Sequence, residues 1–183
     1  MFAKISVAGI VKDHISTLKN NRTDKIHYPD IFLFFCLPAI LSSLMLYAGV
    51  LLTDSLVNGL ITSFSIFSAL LFNLLLLVYS IAEKNPDSTK ITDQLEIKKN
   101  AQRRELLREI YINVSFSILI STISVVILLT YFLKISNCFF WKVNLCSFQW
   151  LLAAILYYLS IQFLLTLFMV LKRIYKLLAK AFG

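Results

Sequence analysis

The chain has 183 residues, of which 58% are hydrophobic and only 15% charged, yet it carries a net charge of +8. Soluble domains average about 45–50% apolar and about 25% charged residues, so an ordinary soluble enzyme, a disulfide-stapled secreted domain and a flexible linker are excluded. With a mean hydropathy of +0.78, a chain this basic must hold its charges in separate blocks.

Residues 1–30 form a cytoplasmic amphipathic segment. Val7, Ile10, Val11, Ile15 and Leu18 recur on one helical stripe, with Lys4, Lys12, Asp13 and Lys19 largely off it. Such a helix either lies in the membrane interface, drawn by anionic lipids, or packs on a partner or on the central loop. Asn20 and Asn21 end it. His14 and His27 fit no metal-ligand spacing and read as solvated or interfacial.

Four apolar stretches follow, at 31–52, 56–81, 110–133 and 149–171, and none contains Asp, Glu, Lys, Arg or His. A bilayer core about 30 Å thick needs roughly 20 such residues. The expected fold is therefore an all-α membrane protein with four transmembrane helices. A first hairpin spans 31–81 and a second 110–171, the latter containing an outer loop at 134–148. Residue 31 is too far from the start, and the first stretch too long, for a cleavable signal. Pro38 is expected to kink the first span.

The basic loop at 82–109 opens with the turn signal Asn85-Pro86-Asp87-Ser88. Asp93 and Glu96 then have capping-box-like spacing. Neither Gly nor Pro interrupts the chain from there into the third span. One continuous helix is expected over 93–133, roughly 60 Å long, with its first two-fifths projecting into the cytoplasm. Lys98, Lys99, Arg103, Arg104 and Arg108 on that projection suit anionic head groups or a cytosolic protein partner. Direct nucleic-acid binding is disfavoured, because no aromatic residues alternate with these charges.

In the outer loop, Cys138 and Cys146 flank Phe139, Phe140 and Trp141. A disulfide between them is chemically permitted if that face is extracytoplasmic, and the sequence leaves its geometry open. Cys36 reads as a buried apolar residue. The basic tail at 172–183 adds Lys172, Arg173, Lys176 and Lys180. All basic residues except Lys134 and Lys142 thus lie on one side of the spans, which makes both termini and the central loop cytoplasmic. Tyr28, Trp141, Trp150 and Tyr175 fall near span ends, where amphipathic rings prefer to sit.

Ser42, Ser43, Asn73, Ser117, Ser121 and Gln162 share a layer roughly 10–18 Å above the cytoplasmic boundary. The amides of Asn73 and Gln162 should face other helices, because an unpaired amide in hydrocarbon is costly. The layer serves either as interhelical glue or as the lining of an oligomeric pore. No phosphate-cradling glycine loop, metal-ligand pattern or nucleophile–base set is present, so no enzyme and no cofactor is expected.

The stretch DHISTLKNNRTDKIHYPDIFLFF, followed by LITSFSIFSALLFNLLLLVYSI, resembles small bacterial membrane proteins. The plan of four spans with cytoplasmic basic segments resembles the membrane subunit of the Kiwa anti-phage defence system. That resemblance implies an oligomeric inner-membrane component that senses infection and holds a soluble DNA-binding partner on its cytoplasmic face. No motif anchors a carry-over of individual residues. Two functions are expected from the chain: a membrane sensor or scaffold that recruits a cytosolic effector, and alternatively a homo-oligomeric pore or membrane-disrupting effector.

Overall fold

The computed structural model describes residues 7–17, 32–50, 52–83, 94–136 and 145–182, and no strand occurs among them. Five α-helices account for almost all of these residues: α1 (Ala8–Thr17), α2 (Leu37–Tyr47), α3 (Asp54–Glu83), α4 (Gln94–Ser136) and α5 (Leu145–Phe182). A π-helical turn, Phe32–Cys36, leads directly into α2. The wide turn sits where Pro38 removes a backbone donor and crowds the carbonyl four residues back, so the expected break is a π turn ahead of the proline.

Three helices are long and apolar enough to cross a membrane: Asp54–Glu83, Asn100–Phe132 and Trp150–Ala179. The first apolar stretch is a shorter helix, Phe32–Tyr47. It ends at Gly49, whose φ of +69° only glycine adopts without strain. Gly49 N–H donates to the Leu46 carbonyl (3.0 Å) and Val50 N–H to the Met45 carbonyl (3.1 Å), which closes the helix end. The Tyr157 hydroxyl then donates to the Val50 carbonyl (3.1 Å) and that of Tyr131 to the Leu52 carbonyl (3.4 Å). Side chains of α5 and α4 therefore satisfy the carbonyls of the turn. Thr53 starts α3, its hydroxyl accepting from Leu56 N–H at 3.4 Å, and Asp54 adds a negative charge to the helix's positive end.

The helix expected over 93–133 is observed as α4, 43 residues without interruption and roughly 64 Å long. It is the hub of the fold, packing against α3, α5 and α1, while α2 lies on α5. Among its buried positions, Leu107, Ile110, Val114, Ser117, Ser121, Ser124, Leu128 and Tyr131 form one seam in steps of three and four, with Ile112, Asn113 and Ile120 buried beside it. On α3 the buried residues are Val57, Phe64, Leu71 and Val78, each seven apart. A strict seven-residue repeat keeps two helices in contact along a left-handed supercoil.

The centre of the α4 seam is made of serines, and three rings gather near it. Phe163 of α5 meets Phe64 edge-on with centroids 5.2 Å apart, and Phe67 at 5.8 Å. Phe64 and Ser121 line the same groove between α3 and α4. A small side chain at position 121 leaves room for the ring, and its hydroxyl is satisfied by the Ile118 carbonyl at 2.9 Å. Overpacking a filled interface costs about 1–3 kcal/mol. Ser121→Leu is therefore expected to lower the thermal unfolding midpoint in detergent, followed by circular dichroism, whereas Ser121→Ala leaves it nearly unchanged.

Candidate functional site

The site is a buried polar latch that fixes the N-terminal helix α1 to α4 near Asn113 and to α5 at Arg173. Its residues come from four segments. His14 and Thr17 belong to the last turn of α1, Phe34 to the π turn, Glu109, Asn113 and Phe116 to α4, and Arg173 to α5. On α1, His14 stands in line with Ile10 and Val11, one turn further along the apolar stripe. It is 1% exposed, which overturns the expectation that it is solvated.

His14 Nδ1 lies 2.7 Å from Asn113 Oδ1. An amide oxygen only accepts, so Nδ1 carries the hydrogen. The imidazole stacks on Phe116 at 3.7 Å with 12° between planes, and meets Phe34 edge-on at 6.2 Å. Nε2 is buried without a partner. Asn113 is itself fully buried, and its Nδ2 donates to the Glu109 carbonyl at 2.6 Å. Thr17 Oγ1 lies 3.2 Å from Asn113 Oδ1 and 2.7 Å from the His14 carbonyl.

Arg173 ties three helices with one guanidinium. Nε pairs with Glu109 Oε2 at 3.2 Å, Nη1 donates to the Glu109 carbonyl at 3.2 Å, and Nη2 donates to the Thr17 carbonyl at 3.1 Å. The last contact places a cation on the unsatisfied carbonyl end of α1, where the helix dipole favours it. The Arg173 and Glu109 side chains are 12% and 18% exposed, so the pair is poorly screened. In the structure α1 packs against α4 of its own chain, with His14 on Asn113 and Phe116.

The residues anticipated from sequence are distributed differently. Lys98, Arg103, Arg104 and Arg108 are exposed along the N-terminal part of α4. Lys99 lies in the same helix, with its side chain outside the described part. Ser42, Ser117, Ser121 and Gln162 are buried, whereas Ser43 and Asn73 face outward. Asn73 was expected to face other helices; it is exposed and lines the groove between α3 and α4 with Ser65, Ser68 and Thr122. The hydroxyls of this layer bond within their own helices: Ser42 and Ser43 to the Ala39 carbonyl, Ser117 to that of Asn113 and Ser121 to that of Ile118. The layer is thus not joined by these bonds into an interhelical network. Cys138 lies outside the described residues. Cys146 is in the first turn of α5 with its side chain undescribed, and Cys36 is a free, half-buried thiol. Among the described residues, no three His, Cys, Asp or Glu side chains are grouped to hold a metal ion.

The latch is neutral at His14. Burial, followed by the positive charge of Arg173, lowers its pKa from 6.5 to about 4, against the opposing influence of the Asn113 hydrogen bond. The docked form therefore binds fewer protons than the undocked form between pH 6.5 and about 4. The contribution of His14 to docking is fully present above pH 6.5 and is lost as the pH falls through that window. Spin labels at positions 12 and 98, in a background with native cysteines replaced, are expected to separate or broaden in distance between pH 7.5 and pH 4.5. The same labels in the His14→Phe variant should show no such pH dependence.

The chain matches no family model, no curated protein and no solved structure.

Proposed function

We propose that the chain is an inner-membrane sensor or scaffold subunit of a bacterial anti-phage defence complex, which recruits a soluble cytosolic effector to the basic stretch of α4. Three helices long and apolar enough to cross a membrane, α3, α4 and α5, support it, and on this reading the shorter Phe32–Tyr47 stretch makes a fourth crossing. Both termini and the 82–109 segment are then cytoplasmic, because the basic residues gather there. The observation that carries the reading is the inner extension of α4. Lys98, Arg103, Arg104 and Arg108 are displayed on an exposed helix continuous with a membrane-crossing one, beside which α1 is latched. A stiff helix rooted in the bundle transmits a change among the membrane segments to a docked protein without needing a catalytic site. Similarity in plan to the membrane subunit of the Kiwa system adds the defence context.

The second reading, a homo-oligomeric pore, is favoured by Asn73. Its amide faces outward at mid-depth of α3, where hydrocarbon offers it no hydrogen bond. A neighbouring copy supplies one. Ser117, Ser121 and Gln162 are buried inside the single chain, which leaves Asn73 and its groove as the polar surface available to such a lining.

Charge reversal separates the readings. In bacterial cells expressing the tagged chain, Lys98→Glu with Arg103→Glu is expected to abolish stoichiometric recovery of a cytosolic protein with the membrane fraction. Membrane potential should stay at the level of untransformed cells. Depolarisation by the wild-type chain expressed alone would overturn the scaffold reading and favour the pore.

A further inference from the structure

Helix α1 presents more apolar surface than the latch uses. His14 is buried toward α4, with Ile10, Val11 and Thr17 half-buried around it. Gly9, Lys12, Asp13 and Ser16 are exposed and fall together on the far side of the helix. Between these two faces runs an apolar edge of Val7, Ala8 and Ile15, with Val7 43% and Ile15 40% exposed. A shallow hollow follows this edge along Ala8, Val11 and Ile15, and Lys12 closes its polar side. The latch fixes the level of the edge. Arg173 and Glu109 hold the Thr17 end where the charges of two helices stop, since α4 has no charged residue over 110–133 and α5 none over 145–171. His14 meets Asn113 and Phe116, one and two turns past Glu109 into the apolar run of α4. Phe34 touches the same imidazole from the π turn, whose neighbouring Phe32, Leu33 and Phe35 are exposed.

We infer that the free edge of α1 is a lipid-contact surface: Val7, Ala8 and Ile15 lie among acyl chains just beneath the head groups, while Gly9, Asp13 and Ser16 face water. A helix with an apolar and a polar side at the membrane boundary gains by burying the apolar side in lipid. Lys12 stands at the margin, where its stem follows the apolar edge and its ammonium reaches the head groups. Charge does not bring the helix there. Lys12 and Asp13 are the only residues of α1 charged at neutral pH, and they cancel. The latch already holds α1 at this height, so the contact needs no anionic lipid. A cytosolic protein is the competing occupant, and it would meet the polar side of α1 first. The apolar edge instead adjoins the π turn, whose exposed side chains are themselves apolar. This placement requires α4 and α5 to cross the bilayer, and it is independent of effector docking on the basic stretch of α4.

The test places one nitroxide at a time in the full chain, with native cysteines replaced, reconstituted in phosphatidylcholine vesicles. The labelled variants are Ala8→Cys, Gly9→Cys, Asp13→Cys, Ile15→Cys and Leu164→Cys. A side chain at position 9 meets no atom within 4 Å, and Leu164 is 49% exposed within the apolar run of α5. Power saturation compares oxygen, which partitions into lipid, with a water-soluble nickel chelate. Labels at Ala8 and Ile15 are expected to be reached by oxygen and shielded from nickel, at a depth of about 5–10 Å. Labels at Gly9 and Asp13 should be reached by nickel, and the label at Leu164 should be the deepest. Adding phosphatidylglycerol should leave the pattern unchanged. Nickel access at Ala8 and Ile15 equal to that at Asp13 would overturn the lipid contact. Shielding of both from oxygen and nickel alike would also overturn it, because that pattern marks an edge covered by protein. Lipid contact that requires phosphatidylglycerol would overturn the claim that the latch and the apolar edge suffice. Nickel access at Leu164 would overturn the membrane crossing and the placement together, whereas shielding at Leu164 with nickel access at Ile15 overturns the placement alone.

Discussion

Placing an arginine at the edge of an apolar bundle is costly unless its donors are used, and Arg173 of α5 uses its donors on α4 and α1. It pairs with Glu109 through Nε and reaches the carbonyls of Glu109 and Thr17 through its two terminal nitrogens. Removing one partner of such a poorly solvated pair would leave a charge uncompensated, which costs more than the pair contributes. The arrangement therefore acts as a register pin. It sets the height of α5 against α4, and it holds the C-terminal end of α1 beneath both.

The rest of this end of the bundle follows from that pin. With α1 held at Thr17, His14 one turn earlier is placed against Asn113, and its ring is sandwiched by Phe116 with Phe34 at its edge. Farther along the same helices, the seven-residue repeat of α3 and the three–four alternation on α4 keep the pair in contact over several turns. The serines of α4 make the contact thin and the rings of Phe64 and Phe163 fill it. Polar contacts thus specify the ends, at the latch and at the Tyr157–Val50 turn, while packing fills the length between them.

How much of this the sequence discloses depends on what sets each feature. The long α4 is legible because no helix breaker lies between residues 94 and 136, and the apolar blocks are legible because bilayer thickness imposes a length. The length rule overreaches at the first block. Pro38 widens one turn and Gly49 closes the helix, so α2 with its π turn is shorter than the unbroken apolar run. Which faces are buried is hidden, since a helix that is apolar all round does not distinguish lipid from protein by residue type. The inward serines and outward Asn73 show that polarity alone does not settle it. His14 did leave a signal, because it stands in line with Ile10 and Val11 on the α1 stripe. Its partners did not: Asn113 and Arg173 lie 99 and 159 positions away along the chain, and only the fold brings them together.

The functional account rests on α1 being locked to the long helix that displays the basic surface, with a neutral imidazole in the joint. The protonation state of that ring tests it most directly. In the full chain labelled with nitrogen-15 at histidine, the account predicts that His14 is the neutral Nδ1–H tautomer at pH 7 and remains neutral at pH 5.5, while His27 supplies a second signal for comparison. A His14 signal that titrates near pH 6.5, or that shows the Nε2–H tautomer at pH 7, would contradict the buried latch.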